Sequence, residues 1–482
     1  MARAFLGRSI RRLRAERGLT QSVLASRLGI SPSYLNLIEH DARPVTASLL
    51  IKLSRLFDVG IDDLSGEDDA NAVLALREAL TDPELGPELG PEPGSHHVSD
   101  AALAAIADHN DATRAILALS RALAAARDEA AGMRLPSGRQ IRLPWEEARA
   151  TFRDHGNHFP VLEQAAETIR HHLGQGTPLP PPNMPPPDLQ EAMVACLRAD
   201  HGTIVRVLPL EGVLRDYDPA SRILTLSDLL RRESRCFQLA VQLVLLRARE
   251  AIEALITEID PTTPEATGLI RLGLVNYTAA ALLMPYDPFL AEARTLRHDV
   301  DLLAARFSVS FEQAAQRLSS LQASGNRGIP FFFVRTDAAG NMTKIFANAG
   351  FPFSQRSASC PLWVANTAFA GSDQITPQIA LLPGGARFLC FARAVTGPST
   401  GWAEPPPTHT ITLGCDIAHA ADIVYADALN LDHANTRVGP GCRLCDWLDC
   451  RSRAFPPLHH RLELDINQRL ASPLFPTARG RK

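Results

Sequence analysis

Lysine is almost missing. Lys52, Lys344 and Lys482 are the only three, and arginine supplies the rest of the 49 basic residues in the 482-residue chain. With its abundant alanine and proline, this bias points to a GC-rich coding sequence and not to a chemistry. No run of 18 or more apolar residues occurs, so no membrane span is expected. The start, MARAFLGRSIRRLRAERG, carries charge but no long apolar core and no small-residue cleavage site. It does not read as a signal peptide, and a cytoplasmic location is expected. Disulfides are rare there, so the eight cysteines are not read as a disulfide framework. What remains is a globular composition, 45% hydrophobic and 21% charged, on a chain long enough for two to four domains.

The net charge of −4 hides an asymmetry: residues 1–60 carry ten Arg/Lys against four Asp/Glu, and residues 61–100 carry one against eleven. A small basic head beside an acidic stretch suggests a nucleic-acid partner for the head. Within LTQSVLASRLGISPSYLNLIEHDARPVTASLLIKLSRLFDV, Thr20 is placed to cap a helix running through Leu28. Gly29 tolerates the left-handed turn that ends it. Ser31 caps a second helix with Pro32 in its first turn. Two short helices joined by a glycine turn make a helix-turn-helix.

This head, taken as residues 1–62, resembles the DNA-binding domain of the Xre/Cro/phage-repressor family through Thr20-Gln21, Ala25, Leu28-Gly29-Ile30-Ser31, Tyr34-Leu35, Ile38-Glu39 and Pro44. The resemblance implies that the second helix enters the major groove of an operator in double-stranded DNA by its N-terminal half. That puts Ser31, Pro32, Ser33, Tyr34, Asn36 and Leu37 at the interface. Ser33 and Asn36 suit base edges, and Leu37 a thymine methyl. Gln21 and Arg43 are expected on phosphate. A dimer is expected, because one head reads only a half-site.

Beyond the head the fold class expected is multidomain, mainly α with α+β. An acidic Gly/Pro-rich linker at 63–100 leads to a helical segment at 101–175, and a linker at 176–188 follows, centred on TPLPPPNMPPPD. Residues 189–325 read as a helix (189–200), strands at 203–208 and 222–226, and a long helix from about Ser227 that contains RCFQLAVQLVLL. The arrangement is similar to the ImmA/IrrE metallopeptidase-like domain, whose helix carries H-E-x-x-H, two zinc-binding histidines and a general base. The matching positions here are Val241, Gln242 and Leu245, and Leu274 stands at a further acidic ligand's place. The resemblance therefore implies the fold without the chemistry, and no enzyme is expected.

A helix is expected over 297–322. Residues 326–465 read as a GAF- or PAS-like α/β sensor region, with strands near Ile329, at Gln378–Leu382, Arg387–Val395 and Thr408–Leu413, and a helix at Ala418–Ala428; residues 466–482 form a tail. GCRLCDWLDCRSRAFPP places Cys442, Cys445 and Cys450 as C-x2-C-x4-C. C-x2-C puts two thiolates close enough to share a metal, and Cys450 closes a third position. For a fourth ligand the first choice is Cys415 in LGCD and the second Cys360 in SCPLW, with Cys196, Cys236 and Cys390 read as buried thiols. A [4Fe–4S] iron–sulfur cluster, structural zinc, or metal-free redox thiols all fit this pattern.

Across nearly the whole chain the sequence looks like the short-chain fatty acyl transcriptional regulators. SPSYLNLIEHDARPVT, NYTAAALLMPY, FSVSFEQAAQRL, GIPFFFVRTDAAGN, LGCDIAHAADIVYAD and the cysteine motif with Arg453, Phe455, Pro456 and Pro457 carry the resemblance. It implies a DNA-binding regulator of short-chain fatty acid or propionyl-CoA metabolism, an acyl-CoA effector in the C-terminal region, and in some members an iron–sulfur cluster on the three clustered cysteines. Arg335, Lys344, Arg387 and Arg393 are the candidate phosphate contacts. The competing reading is a phage- or toxin-associated Xre repressor whose middle domain only binds a partner protein.

Overall fold

The computed structural model describes residues 17–39 with scattered positions elsewhere in the first 137, then 144–174 and 187–457 apart from 347–349, 352, 354–358, 372, 400, 401, 404 and 432–434. Isolated positions aside, the expected acidic linker, the first part of the 101–175 helical segment, nearly all of the proline-rich linker and the 466–482 tail lie outside the described residues. The chain divides into two compact units, one built on Met1–Ser137 and one on Gly138–Pro456.

In the head, α1 (Gln21–Leu28) and α2 (Pro32–Glu39) form the helix-turn-helix. Thr20 Oγ1 accepts from the Val23 amide at 3.3 Å, and Gly29 ends α1 in the left-handed region at φ 72°. Ser31 Oγ accepts from the Tyr34 amide at 3.1 Å and starts α2. Leu24, Ala25, Leu28, Leu35 and Ile38 bury against Ile10, Leu49, Leu53 and Phe57.

The second unit opens with α3 (Pro144–Asp154), α4 (Pro160–Gly174) and α5 (Pro187–His201). A three-stranded sheet follows, of β1 (Ile204–Leu208), β2 (Arg215–Asp218) and β3 (Ile223–Ser227), in the order β1-β3-β2 with β1 parallel to β3. Strand β2 was not anticipated, because RDYD lacks an apolar alternation. Next come α6 (Arg232–Arg247), α7 (Arg249–Ile259), α8 (Pro264–Leu283), α9 (Tyr286–Thr295), α10 (Val300–Phe307) and α11 (Phe311–Ser319). The single helix expected over 297–322 is two: Ser308 adopts φ 51°, and a Ser310/Gln313 capping box restarts the chain as α11. Helix α8 is long and apolar enough to cross a membrane by length and composition. It sits in the middle of this core, with Ile270, Leu274 and Leu282 fully enclosed.

The C-terminal sheet runs β5-β4-β8-β7-β6-β9, with β4 (Phe332–Asp337), β5 (Met342–Phe346), β6 (Thr376–Leu381), β7 (Arg387–Thr396), β8 (Thr408–Asp416) and β9 (Asn435–Arg437). All its pairs are antiparallel except β6–β9. A short helix α12 (Val364–Thr367) lies before β6. The helix expected at 418–428 is two 3-10 turns, Ile417–Asp422 and Val424–Ala428. Side-chain alternation splits the sheet. Phe333, Leu389, Phe391, Ile411, Leu413 and Cys415 join the core of the helices. Phe332, Val334, Phe388, Cys390 and Ala392 join a second cluster with Phe351, Cys360, Trp363 and Val438. The architecture is a helix-turn-helix head, a helical middle and a sheet-containing C-terminal region.

Candidate functional site

On α2, burial divides the sequence-predicted residues cleanly. Leu35, Ile38 and Glu39 face inward, while Pro32, Ser33, Asn36 and Leu37 are exposed, as are Ser31 and the following Arg43; Tyr34 is half-buried against the head core. Leu37 leaves 42% of its surface in water, an exposed apolar group on an otherwise polar face. Gln21, expected on phosphate, turns inward: its amide donates to Asn36 Oδ1 at 3.2 Å and to Glu39 Oε2 at 3.0 Å. Arg14 grips the same buried carboxylate at 2.7 and 3.1 Å. Gln21 therefore orients Asn36, and Glu39 ties the two helices to the preceding segment.

The peptidase position on α6 is filled with core. Val241 and Leu274 are buried and Leu245 packs against the same cluster. Gln242, at the general base's place, accepts from Arg215 Nη1 on β2 at 2.7 Å.

Four of the cysteines converge elsewhere in this unit. Cys442, Cys445 and Cys450 line one pocket with Cys360, Pro361, Arg437, Gly441, Trp447 and Arg453. Cys360, second choice from sequence, is thus the fourth sulfur. Cys415 is not: it lies on β8, opposite Leu389, facing the helix core, whereas Cys360 belongs to the cluster on the sheet's other face. The Gly-Cys pair taken for a turn is a continuation of β8. Gly414 is required there because a Cβ would collide with the Phe332 ring.

The pocket is built to hold sulfur. Arg453, buried in the loop, donates from Nη1 to the Cys442 carbonyl at 2.6 Å, and from Nη2 to the carbonyls of Cys445 at 3.0 Å and Trp447 at 2.9 Å. The Ala454 amide donates to Cys442 Sγ at 3.3 Å. Burial pushes the Cys445 thiol up to about 11, against the Trp447 amide and the Arg453 charge, which favour its thiolate. Burial likewise raises Cys360, against amides of Gly439 and Leu362. Gly439 admits no side chain, since its Cβ would meet Cys445 Sγ. Sequence reasoning missed Arg453 and Gly439 as parts of this site; the arginine inside an otherwise Cys-rich loop was the available signal. The suggested phosphate contacts are already engaged: Arg335 and Lys344 with Glu312, Arg393 with Asp301, and Arg387 with the Leu431 carbonyl.

Comparison with known proteins agrees with this layout. A helix-turn-helix model matches residues 10–64, the IrrE N-terminal-like domain 199–319, and the short-chain fatty acyl coenzyme A regulator C-terminal model 320–474. The HTH-type transcriptional regulator PrpR of Mycobacterium tuberculosis is 37% identical over 97% of this chain and 94% of its own. RamB of the same species is 37% identical over 98% and 99%, and a propionyl-CoA carboxylase regulator of Cereibacter sphaeroides is 35% identical over 96% and 97%. A solved Mycobacterium tuberculosis transcriptional regulator superposes with a TM-score of 0.64 at 36% identity, covering 69% of this chain and 99% of that one. The chain belongs to the short-chain fatty acyl coenzyme A regulators, helix-turn-helix transcriptional regulators with a peptidase-like middle and a cysteine-bearing C-terminal region.

Proposed function

We propose that this regulator, acting in the cytoplasm as a homodimer on a two-half-site operator, responds to a short-chain acyl-CoA and to a [4Fe–4S] cluster held by Cys360, Cys442, Cys445 and Cys450. The observation that carries the cluster is the gathering of four sulfurs, from a loop before α12 and from the C-x2-C-x4-C segment, into one pocket with amide donors and a buried arginine. Such donors to sulfur and a nearby positive charge are what stabilise and tune a cluster. Zinc on the same four thiolates is the alternative, since a closed four-cysteine set also suits a structural zinc ion. When bound, the cluster supplies one-electron redox chemistry.

The residues of the chain do the rest. Ser33, Asn36 and Leu37 read base edges, with Asn36 held by Gln21. The sheet-containing region, an antiparallel sheet with an aromatic cluster on one face and helices on the other, plays the GAF- or PAS-like sensor. The relative named for propionyl-CoA carboxylase supports an acyl-CoA effector that shifts the balance between two placements of the paired heads. Iron and acid-labile sulfide in protein purified without oxygen test the cluster, and its absence with zinc bound instead reverses the metal assignment. A gel shift titrated with propionyl-CoA tests the effector, and unchanged operator affinity removes it.

A further inference from the structure

Far along the sequence from both sites, three ligand-type side chains meet. His172 lies in the last turn of α4, and Cys196 and Asp200 sit one turn apart on α5. A ring nitrogen of His172, the Cys196 sulfur and an Asp200 oxygen all lie within 4.8 Å of one another. The i, i+4 spacing on one helix face is the device zinc-binding helices use. Here it appears on α5, whereas the corresponding positions of α6 are Val241 and Leu245.

The hydrogen bonding around these groups is in conflict. Asp200 Oδ2 faces His172 Nε2 at 2.7 Å, Cys196 Sγ at 3.3 Å, and Arg247 Nη2. Arg247 Nη2 also lies 2.9 Å from His172 Nε2. A guanidinium only donates. Nε2 must be unprotonated to accept from Arg247 and protonated to donate to Asp200, so no single tautomer satisfies both contacts. Next in the chain, His201 has a buried Nε2 with no hydrogen-bond partner among the described residues, and the charges of Arg247, Asp200 and His172 all act on its ring.

A divalent cation removes the conflict. His172 Nε2 and Asp200 then both present lone pairs to the ion, Cys196 gives up its proton, and Arg247 is released to Asp200's other oxygen. One sulfur, one nitrogen and one oxygen form a mixed set that suits borderline-soft Zn²⁺. We propose that His172, Cys196 and Asp200 form a zinc-class metal site, with His201 as candidate for the fourth position and Arg247 as its occupant in the metal-free chain. His172 and Asp200 are 40% and 33% exposed, which leaves an entry path. A coordinating thiol must be deprotonated, so binding takes the proton from Cys196. The ion would pin the end of α4 to the end of α5.

The test uses Co²⁺ as the probe, on full-length protein carrying Cys360→Ser, Cys442→Ser, Cys445→Ser and Cys450→Ser so that the cysteine pocket is silent. The expected result is one equivalent bound with a thiolate-to-cobalt absorption band. Cys196→Ser removes that band and His172→Ala weakens binding. Arg247→Gln tightens it, roughly tenfold or more, since a cation leaves the side of a divalent ion. A purely structural role for Arg247 predicts no such gain. Absence of the band, its survival in Cys196→Ser, or binding by Arg247→Gln no tighter than the parent overturns the proposal. If Cys196→Ser fails to fold, the Arg247→Gln titration still decides.

Discussion

Arg453→Met should unlock the cysteine loop without disturbing the sheet beneath it. The arginine holds three backbone carbonyls at 2.6, 3.0 and 2.9 Å, all in the loop that carries Cys442 and Cys445. Methionine keeps much of the stem's volume and removes every donor. At about 1–1.5 kcal/mol net for each lost bond, the local opening cost falls by about 3–4.5 kcal/mol, which raises the open population by roughly 10²–10³-fold. Cys442 and Cys445 are 9% and 6% exposed, so a thiol reagent reaches them only through opening. In reduced, metal-free protein their labelling, followed residue by residue by peptide mass spectrometry, should accelerate by that factor. Cys390 and Cys415, both at 0% in the sheet, should label as slowly as before. Unchanged rates at Cys442 and Cys445 would refute the role given to Arg453. Acceleration at all four would show global destabilisation instead.

Three further outcomes are expected. Cys360→Ser should strip iron and sulfide from anaerobically purified protein, while Cys415→Ser retains both. Asn36→Ala should lose about 1–3 kcal/mol of discrimination at one base pair of each half-site, measured by competition among operator variants, whereas Arg43→Ala should weaken all sequences alike and flatten the salt dependence. Glu163→Gln should cost about 3–5 kcal/mol in urea unfolding, because it leaves Arg317, fully buried and paired at 2.7 Å, without its carboxylate. Burial alone would raise the Glu163 pKa, but Arg317 and the Tyr277 hydroxyl hold it below the usual carboxylate range. A depressed folded pKa gives stability that is complete above the unfolded carboxylate's value of about 4.3 and fades as pH falls through the folded one. The gap between wild type and Glu163→Gln should therefore shrink below about pH 4.

The head was legible because its signals are local. Thr20, Gly29 and Ser31 act within a turn of themselves, and the structure uses each for the cap or turn its chemistry suits. The peptidase-like helix was legible as a core element because Val241 and Leu245 are apolar, and both pack in the interior. The fourth cysteine was not, since its choice depends on which face of a sheet a residue occupies. Gly414 looked like a turn residue, and only the position of the Phe332 ring across β4–β8 explains it as a strand glycine. The bond from Gln21 to Glu39 was not legible for a similar reason: a helix N-terminus suggests phosphate, and a partner 18 residues on leaves no local signal. The break at Ser308 was missed although Ser310 and Gln313 have capping-box spacing, because the apolar periodicity runs on through it.

The interior shared by helices and sheet bears on how this protein can be cut. The family model for the C-terminal region begins at residue 320. Phe331, Phe333, Leu389, Phe391, Ile411 and Leu413 all pack into the cluster that includes Leu303, Phe307 and Leu318 on the other side of that point. A fragment started there would carry a greasy half-interface into water, with aggregation as its default fate. Crystallisation or ligand screening of the sheet-containing region is better served by a piece that starts before Pro144 and keeps the peptidase-like helices as its other half.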